Sequence, residues 1–310
     1  MENSKLKEKL TTSSKNSRLE TFGRTLTFLC IALIVVVVAA ILIFVAESGL
    51  KTFFVNHINP LSFLFGTNFN PSAVTPDAKP AVGALPMFTG SLVITILSAL
   101  IAAPFAIGAG IYMTEVSPKR GAKFLQPVIE LLVGIPSVVY GFIGLTVILP
   151  LIAKISGDPS LNAGSFLAGV LVLFVMILPT VTSMTVDAMR AIPSHYREAS
   201  LGLGATRWQT IWRVLLRAAA PGILTAVIFG MARAFGEALA VQMVIGNTPT
   251  MMQNLLKPAS TLTSILTSYI GNASGLELNA LWSLALLLMI MSLIFNLAMR
   301  AIAKRGRFNG

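Results

Sequence analysis

Six long apolar stretches run through this 310-residue chain, and they constrain its fold more than any other feature. They cover about residues 26–46, 91–113, 124–152, 166–186, 221–245 and 280–303. Each is long enough to cross the hydrocarbon core of a bilayer, where a helix satisfies its own backbone polar groups. Charged residues make up only 11% of the chain, against about a quarter in a soluble domain. The sequence therefore predicts an all-α integral membrane protein with six transmembrane helices.

The 23 basic residues are distributed unevenly among the predicted loops. Most of them lie in residues 5–24, 119–123, 190–217 and 300–307. The opposite set of loops holds only Lys51, Lys79, Lys154 and Lys257. Because cytoplasmic loops carry the excess of Lys and Arg, we expect both termini in the cytoplasm. The net charge of +11 then reflects topology and not nucleic-acid binding.

The predicted cytoplasmic loop 187–217 has the pattern of a helical hairpin. Ser194 supplies the start of one short helix, Gly204 permits a sharp turn, and Thr206 forms a capping box with Gln209. An apolar stripe of helical spacing follows, made of Trp208, Ile211, Trp212, Leu215 and Leu216. The pattern fits a helix in the headgroup region or an element that contacts a cytoplasmic partner.

Two charges lie inside the fifth apolar stretch. Arg233 follows Pro221 by 12 residues, which is roughly 18 Å along a helix and close to mid-membrane. A charge there costs about 2.5–3.5 kcal/mol even on lenient scales, so it normally faces a bundle interior or a wet pathway. The i, i+4 spacing places Arg233 and Glu237 on one face of the helix. The pair either neutralises itself and fastens the bundle, or Arg233 binds an anion in a translocation path while Glu237 holds it in position.

The third stretch combines a carboxylate with helix-breaking residues. Glu130, Gly134, Pro136 and Ser137 lie near its predicted cytoplasmic end, and they predict a kink or an unwound segment. Such a break suits a gate but also occurs in static bundles. Elsewhere, Thr180, Ser183 and Asp187 form a polar stripe, and residues 261–270 of the last outer loop are predicted to form a short helix.

No catalytic, metal or cofactor site is predicted. The chain contains no GxxxxGK[ST] phosphate loop, so we do not expect it to hydrolyse ATP. Cys30, His57 and His195 are too few for a metal-binding set.

The hairpin resembles a known motif. Glu198-Ala199-Ser200, followed by Gly204, is similar to the EAA loop of type I ABC-transporter permeases. In that family the loop forms a coupling helix that seats in a groove of a separate ATPase, which binds ATP and Mg²⁺. The resemblance implies that Glu198, Ala199 and Gly204 couple this chain to an ATPase. Ser200, where that family usually has Ala, is a departure from the pattern.

Longer stretches resemble the phosphate-specific permeases, the PstC/PstA pair, over about residues 83–303. They are Gly83–Pro86 (GALP) with Gly90–Leu92 (GSL), Glu130–Gly141 (ELLVGIPSVVYG), Ala232–Val241 (ARAFGEALAV) and Gly246-Asn247. The basic–acidic pair of that family, implicated there in phosphate passage, matches Arg233 and Glu237. The long first outer loop and charged N-terminal tail resemble PstC more than PstA.

The resemblance implies a permease subunit that imports inorganic phosphate across a bacterial-type cell membrane. It also implies a PstA-type second permease, two PstB-type ATPase subunits and an extracytoplasmic PstS-type phosphate-binding protein. The chain then divides into a cytoplasmic tail (1–23), a first transmembrane helix (24–47), an extracytoplasmic loop (48–88), a type-1 permease domain (89–303) and a C-terminal cytoplasmic tail (304–310). The coupling loop within the permease domain is 187–217.

Three alternatives remain open from the residues. Arg233 favours an anion but does not choose among tetrahedral oxyanions, so sulfate, molybdate and phosphonate are alternatives to phosphate. An ion-coupled secondary transporter also uses buried charges, although it leaves the hairpin unexplained. The third alternative is a membrane scaffold or sensor that has no transport activity of its own.

Overall fold

The computed structural model describes residues 15–71 and 81–306. Its α-helices of six residues or more are α1 (Lys15–Phe54), α2 (Pro60–Phe65), α3 (Leu85–Ile111), α4 (Gln126–Gly134), α5 (Ser137–Ile143), α6 (Leu149–Ser156), α7 (Phe166–Arg190), α8 (Ser194–Gly202), α9 (Leu216–Phe235), α10 (Leu239–Ile245), α11 (Leu262–Tyr269) and α12 (Gly275–Gly306). Two short strands, β1 (Phe69–Asn70) and β2 (Ala81–Val82), pair antiparallel. π-helical segments extend or join helices at Tyr112–Val116, Gly121–Leu125, Gly144–Ile148 and Thr210–Leu215.

Within the described residues, six helical segments are long and apolar enough to cross a membrane. They are Leu19–Phe54, Leu85–Val116, Ser137–Ser156, Phe166–Arg190, Arg207–Phe235 and Gly275–Ala298. The predicted six-span, all-α fold is therefore confirmed. The first helix extends beyond the predicted span 24–47 at both ends. Residues 1–14 and 307–310 of the predicted tails, and 72–80 of the first outer loop, lie outside the described residues.

The chain divides into two compact units, with the boundary between Ser48 and Gly49. The described part of the first unit belongs to α1. In the second unit, α7 is the central helix and packs chiefly against α3 and α9. Small residues make these contacts close, as is common between membrane helices. A β-carbon added at Gly110 of α3 would lie 2.6 Å from Cγ2 of Thr185, and one at Gly230 of α9 would lie 2.5 Å from Cγ2 of Val181.

The loop between the fifth and sixth spans folds back onto the bundle through α11. Thr261 caps this helix in a capping box with Ser264, and Ser91 of α3 accepts a hydrogen bond from the backbone N–H of Leu262 at 2.9 Å. Leu262 and Ile265 are fully buried. The short helix predicted over 261–270 is confirmed, and its caps explain why the chain turns there.

The fifth span is broken, and the prediction of one helix over 221–245 was wrong. The helical segment begins at Arg207, α9 ends at Phe235, and α10 begins only at Leu239. Gly236 closes α9 by donating to the carbonyl of Ala232 at 3.3 Å. Within the break, the backbone carbonyl of Glu237 accepts a hydrogen bond from Oγ1 of Thr263 at 2.8 Å. This hydroxyl satisfies a backbone group that the break has freed, which is the condition for a broken helix inside a membrane.

Candidate anion path and coupling surface

Arg233 lies in the last turn of α9 and is half-buried. Its Nη1 donates to Oγ1 of Thr180 on α7 at 2.7 Å. A guanidinium has five N–H donors. Among the described residues, Thr180 is the one hydrogen-bond acceptor that Arg233 contacts. No described carboxylate lies within 4 Å of it. A cation in the last turn also complements the negative end of the helix dipole, so Arg233 is held without an acidic partner.

Glu237 does not pair with Arg233, contrary to the shared helix face expected from their spacing. The helix ends between them, so the i, i+4 geometry does not apply. Oε1 of Glu237 instead accepts from the backbone N–H of Ala240, in the first turn of α10, at 3.2 Å. A carboxylate at a helix N-terminus is stabilised by unpaired N–H groups and by the dipole. The break thus gives each charge its own helix end.

A tight polar pocket adjoins Glu237. Its polar lining comes from α3, from the break in the fifth span and from the start of α11, and consists of Ser91, Thr95, Glu237, Thr261 and Thr263. Oγ1 of Thr95 is buried and has no hydrogen-bond partner among the described residues, and the same is true of Oγ of Ser260. Sequence reasoning missed these hydroxyls, although Ser91 and Thr95 share one face of α3 by their spacing.

The predicted kink in the third span lies where Gly134 and Pro136 indicated. The chain is extended at Ile135 (ψ 127°) and Pro136 (ψ 140°), between α4 and α5. The hydroxyl of Tyr140 donates to the carbonyl of Leu132 at 2.7 Å across this break. Ser137 begins α5. This break therefore has its own internal hydrogen bond, as the break in the fifth span does.

The broken segments pack against each other. A β-carbon at Gly141 of α5 would lie 2.9 Å from Cα of Ala240 in α10, so only glycine permits this approach. Tyr140, Ala240 and Ala234, the neighbour of Arg233, belong to one buried apolar cluster. Glu130 is not part of that cluster: it is exposed and accepts from Nε2 of Gln126 at 3.0 Å.

The predicted hairpin is present, and the residues predicted to couple it to an ATPase are accessible. Helix α8 begins at Ser194, Gly204 adopts a positive φ of 83°, and Thr206 and Gln209 form both hydrogen bonds of the capping box. Glu198, Ala199 and Gly204 are all exposed. Leu203 between them is 89% exposed, so the tip of the hairpin is accessible.

Buried contacts fix the hairpin to the spans. Met189, Ile192, Ile211 and Leu215 form an apolar cluster with Ile111 of α3. Ser200, the departure from the EAA pattern, is buried, and its Oγ lies 2.9 Å from Oγ1 of Thr210. A hydroxyl here joins the two arms of the hairpin, which an alanine cannot do.

The apolar stripe is divided between two surfaces. Ile211 and Leu215 are buried, whereas Trp208 and Trp212 are 60% and 52% exposed. The two tryptophans line an apolar groove of about 930 Å³ between α3 and α9. A π-helical segment over Thr210–Leu215 accounts for this division, because its wider turn shifts the 3.6-residue period that the prediction assumed.

Arg197 of α8 forms an ion pair that the sequence did not indicate. Its Nε and Nη2 donate to the two carboxylate oxygens of Glu115, in the π-helical end of the second span, at 2.9 and 2.5 Å. Hydrogen bonding to Glu115 raises the pKa of Arg197 above its ordinary value. The partners lie 82 positions apart, so no local pattern relates them.

Comparison with known proteins gives consistent matches. Residues 106–308 match the family model described as "Binding-protein-dependent transport system inner membrane component". The probable ABC transporter permease protein YqgH of Bacillus subtilis (strain 168) is 50% identical over 99% of this chain and 98% of its own. The phosphate transport system permease proteins PstC of Pasteurella multocida (strain Pm70) and Mesorhizobium japonicum are 32% and 33% identical, over 79% and 83% of this chain and 82% and 84% of theirs.

Solved structures match at the level of fold. A chain of the bacterial alginate ABC transporter, in complex with an alginate pentasaccharide-bound periplasmic protein, has a TM-score of 0.60 at 16% identity. The match covers 94% of this chain and 98% of that one. A chain of the inward-facing MetNI methionine ABC transporter has a TM-score of 0.54 at 22% identity, over 70% of this chain and 93% of that one.

Proposed function

Since the chain belongs to the binding-protein-dependent transport system inner membrane components, as a type I ABC permease of the PstC kind, we propose that it carries inorganic phosphate. Members of this family are membrane components of importers and not enzymes. The chain is accordingly a multi-pass cell-membrane protein and the permease subunit of an ABC importer. The substrate, the orientation, the partners and the site residues are the proposed part.

The observation that carries the proposal is the state of Arg233. A permanently charged guanidinium lies on a broken span, is anchored by one hydroxyl, and has no carboxylate within 4 Å among the described residues. Its planar fork suits two oxygens of a tetrahedral oxyanion. A charge that only fastened the bundle is expected to have an acidic partner. Glu237 then acts by shaping the break, because its carboxylate caps α10.

The proposed orientation places the hairpin in the cytoplasm, with both termini on that side. Glu198, Ala199 and Gly204 would contact a PstB-type ATPase, whose two copies bind ATP and Mg²⁺. A PstA-type chain would complete the path, and a PstS-type protein would deliver phosphate from outside. Support comes from the exposed coupling residues, the positive-inside distribution and the PstC relatives.

Uptake of radiolabelled phosphate tests the proposal in a strain that lacks this chain and is complemented with it. We expect complementation to restore uptake, an excess of unlabelled sulfate to leave that uptake unchanged, and ATP depletion to abolish it. Uptake should survive an uncoupler while ATP is maintained. Competition by sulfate would reassign the substrate to another oxyanion. Loss of uptake with the uncoupler alone would indicate an ion-coupled transporter, and normal phosphate import without the chain would indicate a scaffold.

A further inference from the structure

The ion pair between Glu115 and Arg197 joins two elements that have different tasks in the proposed importer. Arg197 immediately precedes Glu198 and Ala199 on α8. Glu115 ends the second span, in the π-helical turn that continues α3. The contact is bidentate, and the Glu115 side chain is only 7% exposed. A buried carboxylate needs a compensating charge, so Glu115 keeps Arg197 in one position.

Helix α3 continues from this ion pair to the polar pocket. Ser91, which lines that pocket, lies on α3, 24 residues before Glu115, a distance of roughly 36 Å along a helix. Along the way α3 packs closely on α7 at Gly110. A displacement of α8 that is passed to the end of α3 therefore reaches the region near the break in the fifth span without crossing a flexible loop.

We propose that Glu115 is a positioning residue which, through Arg197, transmits the movement of α8 to α3 during the ATPase cycle. The inference rests on the proposed function, because it requires an ATPase that acts on α8. The apolar cluster around Ile192 and Ile211 holds the hairpin in place independently. Loss of the ion pair should therefore leave the hairpin folded and docked through this cluster, which includes Ile111 of α3, while the direct link from α8 to the end of the second span is lost.

The purified complete transporter, reconstituted into vesicles, allows ATP hydrolysis and anion uptake to be measured together. For Glu115→Gln we expect hydrolysis to continue, while the anions transported per ATP fall at least about fivefold, the lower end of typical coupling between sites. Arg197→Lys retains the charge but loses the bidentate geometry. The number of anions that it transports per ATP should therefore lie between the values for wild type and for Glu115→Gln. Arg120→Gln, an exposed charge in the same loop region, is the matched control and should keep the wild-type ratio.

A cross-link provides a second, independent readout. Cys30 is the only cysteine in the chain, so a Cys30→Ser background accepts Glu115→Cys and Arg197→Cys together. We expect a short bifunctional thiol reagent to restore the transport ratio that the unlinked double variant has lost. If the cross-linked protein hydrolyses ATP but does not transport, the two elements must separate during the cycle and the proposal is wrong.

The remaining outcomes separate the proposal from the proposed function. An unchanged ratio in Glu115→Gln, with a transporting wild type, refutes the role of Glu115 alone. Failure of both Glu115→Gln and Arg197→Lys to assemble also refutes it, because the ion pair would then serve folding only. A wild-type complex that transports no oxyanion refutes the proposed function instead.

Discussion

Replacement of Arg233 by lysine separates an anion site from a structural charge. The variant keeps a positive charge at the same point on α9 but replaces a planar fork of five donors by three donors on a tetrahedral nitrogen. Thr180 takes one donor in the structure, at 2.7 Å. If lysine keeps that contact, two donors remain for a ligand and the bidentate arrangement is lost.

The expected magnitude follows from that loss. A hydrogen bond to a charged group contributes about 1.5–3 kcal/mol, so losing one lowers the efficiency of phosphate uptake by roughly 10- to 100-fold. Arg233→Ala removes the charge as well and should lower it further. Thr180→Val preserves the guanidinium but removes the hydroxyl that accepts its hydrogen bond. It should therefore have a smaller effect than either substitution of Arg233.

Initial rates of radiolabelled phosphate uptake over a range of concentrations measure this effect. The amount of each variant in the membrane, and its co-purification with the ATPase, must be measured in parallel. Arg300→Lys, an exposed position on α12, is the matched control and should transport like wild type. Normal assembly with undiminished uptake in both Arg233→Lys and Arg233→Ala would refute the anion-path reasoning. Assembly defects with normal uptake per assembled complex would make Arg233 a structural charge.

Three further predictions concern the elements around the site. Glu237→Gln keeps an acceptor for the N–H of Ala240, so we expect the complex to assemble and to melt at a temperature close to wild type. Glu237→Ala loses this hydrogen bond, and the free energy of unfolding should fall by about 1 kcal/mol. Gly141→Ala should destabilise the complex by about 1–3 kcal/mol, because its β-carbon would press on α10, while Gly134→Ala should be neutral because nothing lies within 4 Å. Thr206→Ala removes the capping box and should cost about 0.5–2 kcal/mol, measurable as a lower melting temperature of the purified complex.

Specific results would contradict these three predictions. A loss of about 3–5 kcal/mol in Glu237→Gln is the signature of a broken buried ion pair and would show that Glu237 does compensate Arg233. Equal stability of the two glycine variants would contradict the close packing of α5 on α10. An unchanged melting temperature in Thr206→Ala would mean that the hairpin does not depend on its cap.

The sequence predicted those features of the fold that depend on residues close together in the chain. The length and apolarity of the stretches predicted six spans, and the capping residues Thr206 and Gln209 predicted the second arm of the hairpin. Gly134 and Pro136 together mark a break because proline cannot donate a hydrogen bond and restricts the residue before it. In each case the decisive atoms are a few residues apart.

The break in the fifth span was missed because its cause is distant. Gly236 alone is a weak signal, since isolated glycines are common in membrane helices. The hydroxyl that satisfies the freed carbonyl of Glu237 comes from Thr263, 26 positions later. The ion pair of Glu115 with Arg197 is likewise a long-range contact. Both depend on how helices pack, which periodicity does not report.

The most direct test of the central claim is ATP-driven transport by the purified complex in sealed vesicles. The PstA-type, PstB-type and PstS-type partners are reconstituted with this chain, and labelled phosphate and labelled sulfate are supplied in separate reactions. We predict that ATP drives phosphate accumulation, that sulfate does not accumulate, and that Arg233→Ala abolishes transport while the complex remains assembled. Equal accumulation of sulfate, or phosphate transport by the assembled Arg233→Ala complex at the wild-type rate, would contradict the account.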